Sequence, residues 1–117
     1  MEISHEDINP GLRRIVITGR LDIRGTDMIA ARFAELSTEA KRNVIIDFTG
    51  VTFLASIGIR ALISNAKALH KMGGHMALVV GDNTSVAKTL SSTGIDVLLQ
   101  MFTRLEDAKK SLDSVAA

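Results

Sequence analysis

Cysteine is absent from the 117 residues, which excludes disulfides, thiol catalysis and thiolate metal sites and suits a reducing compartment. Tryptophan and tyrosine are absent too. Four phenylalanines are the whole aromatic supply, too few for a platform on which bases would stack. Neither sign of charge prevails. Lys plus Arg is 14 against 13 for Asp plus Glu, and a net charge of +1 gives no general pull toward nucleic acid or an acidic membrane. No apolar run approaches the length that spans a bilayer, so no membrane insertion is expected. The opening MEISHEDINP is acidic and polar, unlike a signal peptide. Histidine occurs three times, at His5, His70 and His75. The last two flank Gly73-Gly74 with no third ligand evident, so surface histidines are expected and no metal.

What is present is ample apolar content, 46% of residues, in a length that suits one domain over 1–117 with a real core. RRIVITGRLD (13–22) reads as a strand, with residues 2–8 as its partner across an Asn9-Pro10-Gly11 turn. From Thr26 the period changes. Ile29, Phe33, Leu36 and Ala40 recur at helical spacing, with Asp27 expected in the first turn. NVIIDF (43–48) is a nearly continuous β-branched run, as a strand buried on both faces requires, and TGVTFLA then reads as a loop.

Helical spacing returns from Ile57 to Lys71. Ile59, Leu62, Ile63, Ala66 and Leu69 form the buried stripe, and Arg60, Ser64, Lys67 and Lys71 the wet one, before the double glycine stops the helix. HMALVV (75–80) is another strand. Asn83 or Thr84 is placed to cap a short helix carrying Val86, Ala87 and Leu90, ended by Gly94. DVLLQM (96–101) is the last strand. TRLE (103–106) then matches a capping box, with Thr103 and Glu106 as reciprocal partners, before a helix with Leu105, Ala108, Leu112 and Val115 on its apolar face. The order is strand, strand, helix, then three rounds of strand and helix. It predicts an α/β domain with a mixed, mostly parallel sheet of four to five strands and about four helices. The five methionines are scattered and read as core filling.

In such sheets working residues gather beyond the carboxyl ends of the strands. Ser56 lies there, a lone hydroxyl within FLASIGIRALI. Its plainest role is an N-cap, worth about 1 kcal/mol. A nucleophile elbow is a second role, because LASIG resembles G-x-S-x-G. Leu54 replaces the first glycine, however, and no acid-then-histidine order follows the serine. A phosphate loop is excluded, since Gly58 stands alone and no G-K-[ST] follows. A regulatory role remains. Phosphorylation would add roughly −1.5 to −2 charges at a helix N-terminus, which tolerates them, and a partner pressed against the same rim would not.

VIIDFTGVTFLASIGIRALISNAKALHKMGG is similar to the central segment of STAS domains, the anti-sigma factor antagonist family. GRLD (19–22) resembles that family's G-x-L-D element, and SVAKTLSSTGID its short third helix and glycine. The resemblance implies a single STAS-like domain without enzymatic activity or cofactor, acting in the bacterial cytoplasm as a monomer. It implies two partners. One is an anti-sigma factor that is also a serine kinase of the ATP-binding GHKL type, bound by the unphosphorylated form. The other is a PP2C-like phosphatase that resets the switch. By position the phosphorylated serine is Ser56. The partner surface implied is Asp22, Arg24 and Thr26 with Ser56, Ile57, Gly58 and Arg60.

The chain departs from the family's D-S-[ST]-G: Ala55 replaces the acid and Ile57 the second hydroxyl. That departure keeps a second reading open, a STAS binding module that is not phosphorylated, such as the cytoplasmic partner of an ABC-type lipid transporter. Asp22 and Asp47 fall near strand ends. Asp47 is expected to be a solvated carboxylate, and Asp22 to order the switch loop. Gly58 is explained by a partner's close approach or by packing on the sheet. Arg60, Lys67 and Lys71 are expected on an ordinary solvated helix face.

Overall fold

Asn9, Pro10 and Gly11 reverse the chain between two antiparallel strands, β1 (Glu2–Asn9) and β2 (Leu12–Leu21), and the Gly11 N–H donates to the Asn9 side-chain oxygen at 2.9 Å. A computed structural model describes residues 1–38, 42–95 and 99–113. After the reversal every strand runs parallel to its neighbour. The order along the chain is α1 (Ile23–Thr38), β3 (Asn43–Leu54), α2 (Ser56–Lys71), β4 (Met76–Val79), α3 (Thr84–Ser91), β5 (Gln100–Phe102) and α4 (Leu105–Asp113). The five strands lie side by side in sequence order, a mixed and mostly parallel sheet in one domain, as expected.

Two apolar layers sandwich the sheet. On one side Ile15, Ile17, Val44, Ile46 and Phe48 pack against Ile29, Phe33 and Leu36 of α1, Leu62 and Leu69 of α2, and Leu90 of α3. On the other, Leu12, Ile45, Ala77 and Val79 meet Ala108 and Leu112 of α4. Strands β3 and β4 are therefore covered on both faces, which is why their sequences run apolar without alternating. Each large side chain so buried contributes about 1.5–3 kcal/mol. Arg13, itself buried, ties the hairpin to this body. Its guanidinium meets the Asp7 carboxylate at 2.7 Å and donates to the Leu36 carbonyl, in the last turn of α1, at 3.3 Å.

Four local expectations need correction. TGVTFLA is not a loop. β3 continues to Leu54 beside β2, with the register shifting twice along the pair. Gly50 marks close passage here, since a Cβ would lie 2.7 Å from Thr18 Cγ2. Helix α1 begins at Ile23 rather than Thr26, so Asp27 misses the first turn. Thr103 and Glu106 form no capping box. The helix starts at Leu105, and Glu106 lies 3.4 Å from Arg104 instead. The fourth, at Ser56, belongs to the site.

Two other expectations hold. Asn83 caps α3, its side-chain oxygen accepting from the Val86 N–H. Gly73 (φ +87°) ends α2, where the Gly73 and Gly74 N–H groups bond the His70 and Leu69 carbonyls. Strand β5 is found at Gln100–Phe102. Ala40, Asp96, Val97, Leu98 and Val115, assigned above to helix and strand, lie outside the described residues.

Candidate functional site

Helices α1 and α2 both start at the carboxyl edge of the sheet, one after β2 and the other after β3. The Ala55 N–H donates to the Leu21 carbonyl at 2.9 Å, so the two starts are fixed side by side. Asp22 builds the first. Its carboxylate accepts from the Gly25 N–H at 2.8 Å, and its carbonyl accepts the first helical bond, from the Thr26 N–H at 2.9 Å. It is the N-cap of α1, in agreement with its expected ordering role. The Gly25 N–H bond, and then Arg20 at 3.5 Å, hold the carboxyl below the usual carboxylate range. Gly25 permits this tight entry, because a Cβ there would fall 2.0 Å from the Arg20 carbonyl oxygen.

The start of α2 corrects the role expected of Ser56. Ala55, with extended φ −91° and ψ 166°, occupies the cap position and has no side chain able to accept a hydrogen bond. Ser56 is the first helical residue. Its side chain is exposed, and no hydrogen bond engages its hydroxyl among the described residues. The oxygen therefore stands in solvent at the positive end of a 16-residue helix.

Of the other residues singled out from the sequence, four come together. Arg24 and Thr26 of α1 face Ile57 and Arg60 of α2 across a groove of about 570 Å³. Gly58 does not reach it. It is buried beneath α2, where a Cβ would lie 3.1 Å from Leu21 Cβ and 3.2 Å from the Leu21 oxygen. Packing on the sheet accounts for this glycine. Asp22 caps, and Ser56 directly precedes the lining residue Ile57 at the start of α2.

Two residues escaped the sequence reading. Ile23, 72% exposed, lines the groove. Phe53 is 42% exposed and carries the Arg20 guanidinium 4.6 Å above its ring. The methionines are not all core filling, as expected above: Met28 is 67% exposed and Met72 40%. Apolar residues at element junctions look like core in a sequence, and no signal distinguishes them there. Asp47 is also corrected. It is 4% exposed, bonded to the Thr49 N–H at 2.9 Å, the Thr49 hydroxyl at 2.7 Å and Arg14 at 2.6 Å. Burial pushes its carboxyl up, but the Thr49 and Arg14 bonds outweigh burial and hold it below the ordinary range.

His70 and His75 meet edge to face, with ring centroids 6.2 Å apart. Among the described residues no group of three or more His, Cys, Asp or Glu is placed to hold a metal, and no helix is long and apolar enough to cross a membrane. The site is thus a mixed apolar and basic groove with a free hydroxyl at its mouth.

The sequence model of the STAS domain matches residues 6–108, and the chain belongs to that family. Solved structures share the fold. An anti-sigma factor antagonist from Mycobacterium paratuberculosis superposes with a TM-score of 0.84 at 20% identity, over 96% of this chain and 93% of that one. The Bacillus cell fate determinant SpoIIAA in its phosphorylated form gives 0.69 at 18% identity, over 94% and 99%. The murine anion transporter Slc26a9, in an inward-facing state, gives 0.76 at 19% identity, over 89% of this chain but 18% of the transporter. At these identities the likeness is one of fold. No curated protein sequence matches the chain closely enough to count as a relative.

Proposed function

We propose that the whole chain, residues 1–117, is an anti-sigma factor antagonist that works by reversible binding in the bacterial cytoplasm. In its unphosphorylated form it docks an anti-sigma factor that is also a GHKL-type serine kinase, freeing the sigma factor for transcription. The kinase phosphorylates Ser56 and is released, and a PP2C-like phosphatase resets the switch. The chain is itself no enzyme. It acts as a monomer and needs no cofactor.

One observation carries this reading: the Ser56 hydroxyl is exposed and has no hydrogen bond among the described residues at the first position of α2, beside a mixed apolar and basic groove. A phosphate there would meet unpaired backbone N–H groups, so the fold would survive it, gaining about 0.3–1 kcal/mol. A partner seated on Ile57 would have to desolvate a dianion. Each tenfold of affinity is about 1.4 kcal/mol, a small part of that penalty. Asp22, Arg24, Thr26, Ile57 and Arg60 form the docking surface around it, and Gly58 supports the surface from below.

Incubation with the GHKL kinase of the same organism and ATP tests the assignment by peptide mass mapping. A single phosphate on Ser56, abolished in Ser56→Ala, is expected; no phosphate, or one elsewhere, contradicts it. Ala55 and Ile57, in place of the family's acid and hydroxyl, favour a second reading, a STAS module that binds without phosphorylation, such as the partner of an ABC-type lipid transporter. In that case the kinase leaves Ser56 untouched, and a transporter ATPase binds Ser56→Ala as well as it binds the native chain.

A further inference from the structure

The groove between α1 and α2 has a definite shape. Ile23, Thr26, Asp27 and Ala30 line it from one helix, and Ile57, Arg60, Ala61 and Ser64 from the other. Both sets follow the spacing i, i+3, i+4, i+7, so two facing stripes run alongside for two turns, about 10 Å at 1.5 Å per residue. The far end is walled by small residues, Ala30, Ala61 and Ser64, which let another backbone come close. The end at which both helices begin is walled by Ile23 and Ile57, both exposed. A trough of this length between helices fits a third helix laid along it.

Charge and hydrogen bonding narrow the occupant. Arg24 and Arg60 stand one on each wall, and neither is in an ion pair among the described residues. Asp27 is the single carboxylate in the lining, against these two guanidiniums. Unpaired guanidiniums on opposite walls match the two oxygens of a carboxylate.

We propose that this groove receives an amphipathic helix of the partner kinase that carries an apolar side chain between Ile23 and Ile57 and a Glu or Asp between Arg24 and Arg60. The inference rests on the partner-switching reading above and adds to it the chemistry of the docked element. Recognition is therefore of an acidic surface, although the chain as a whole is nearly neutral. A phosphate on Ser56 would compete for the same guanidiniums and repel the same carboxylate. Release then follows from charge as well as from desolvation.

Binding of the purified GHKL kinase to the native chain and to the double variant Arg24→Glu/Arg60→Glu, at low and high salt, tests this. Both arginines are exposed, so their reversal is expected to leave the circular dichroism unchanged, to weaken binding about tenfold or more and to flatten its salt dependence. Equal or tighter binding by the double variant overturns the inference; if the kinase still phosphorylates Ser56, the partner-switching reading stands without it. Failure of the kinase to bind the native chain at all overturns both.

Discussion

The Ala55 N–H reaches the Leu21 carbonyl at 2.9 Å, and through that bond the last residue before α2 is joined to the last residue of β2. The groove exists because of this join. It sets the first turns of two helices next to each other, so that a change at the start of one is felt on the surface of both. Stability of the site therefore depends on how tightly the chain enters each helix.

Gly25→Ala tests that entry. A Cβ would sit 2.0 Å from the Arg20 oxygen, a backbone atom with little room to yield. The substitution gains up to about 1 kcal/mol in helix propensity, but overpacking costs more, and a net loss of about 1–3 kcal/mol is expected. Urea denaturation measures it. A more stable variant would show that α1 enters differently.

Ala55→Asp works in the opposite direction. The cap position of α2 has extended backbone and lacks a side-chain acceptor. An aspartate there would accept from the first-turn N–H groups and face the positive end of the helix, adding about 0.5–2 kcal/mol. The same substitution restores the acid of the family motif. An increase in the urea midpoint is the expected result, and a decrease would place the helix start elsewhere.

Much of this architecture was legible from periodicity. The strand order, the mixed sheet and the helical stripes follow from spacing alone. Glycines account for two of the misreadings. Gly25 and Gly50 look like breakers, yet each lies inside an element, where it lets one backbone pass close to another. A single sequence does not distinguish a glycine that ends an element from one that permits contact. Ser56 was misassigned by one position, because a serine before an apolar stripe has the appearance of a cap. The groove was only half visible. Arg24, Thr26, Ile57 and Arg60 entered through resemblance, whereas Ile23 depends on how two helices lie in space. Asp47 was read as solvated because its partners, Arg14 and Thr49, meet it through strand pairing and a local turn that periodicity does not encode.

Asp47→Asn carries a pH signature. The folded carboxyl is held below its ordinary value, so its stabilising effect is full above the usual carboxylate pKa, about 3.9, and is lost as pH falls through the lower folded value. At neutral pH the variant is expected to be about 1–3 kcal/mol less stable, since Arg14 and Thr49 lose a charged acceptor. Urea titrations at a series of pH values should show the gap between native and variant closing as the solution becomes strongly acidic. A gap independent of pH would show that the ionised form is not the one that matters.

The most direct measurement compares the affinity of the GHKL kinase for the native chain and for the same chain carrying phosphate on Ser56, alongside the thermal midpoint of each. We predict that the phosphorylated chain melts no lower than the native one and binds more than tenfold more weakly, a difference of at least about 1.4 kcal/mol. Equal affinity, or weaker binding explained by a collapsed midpoint, would contradict a serine that controls docking while leaving its fold in place.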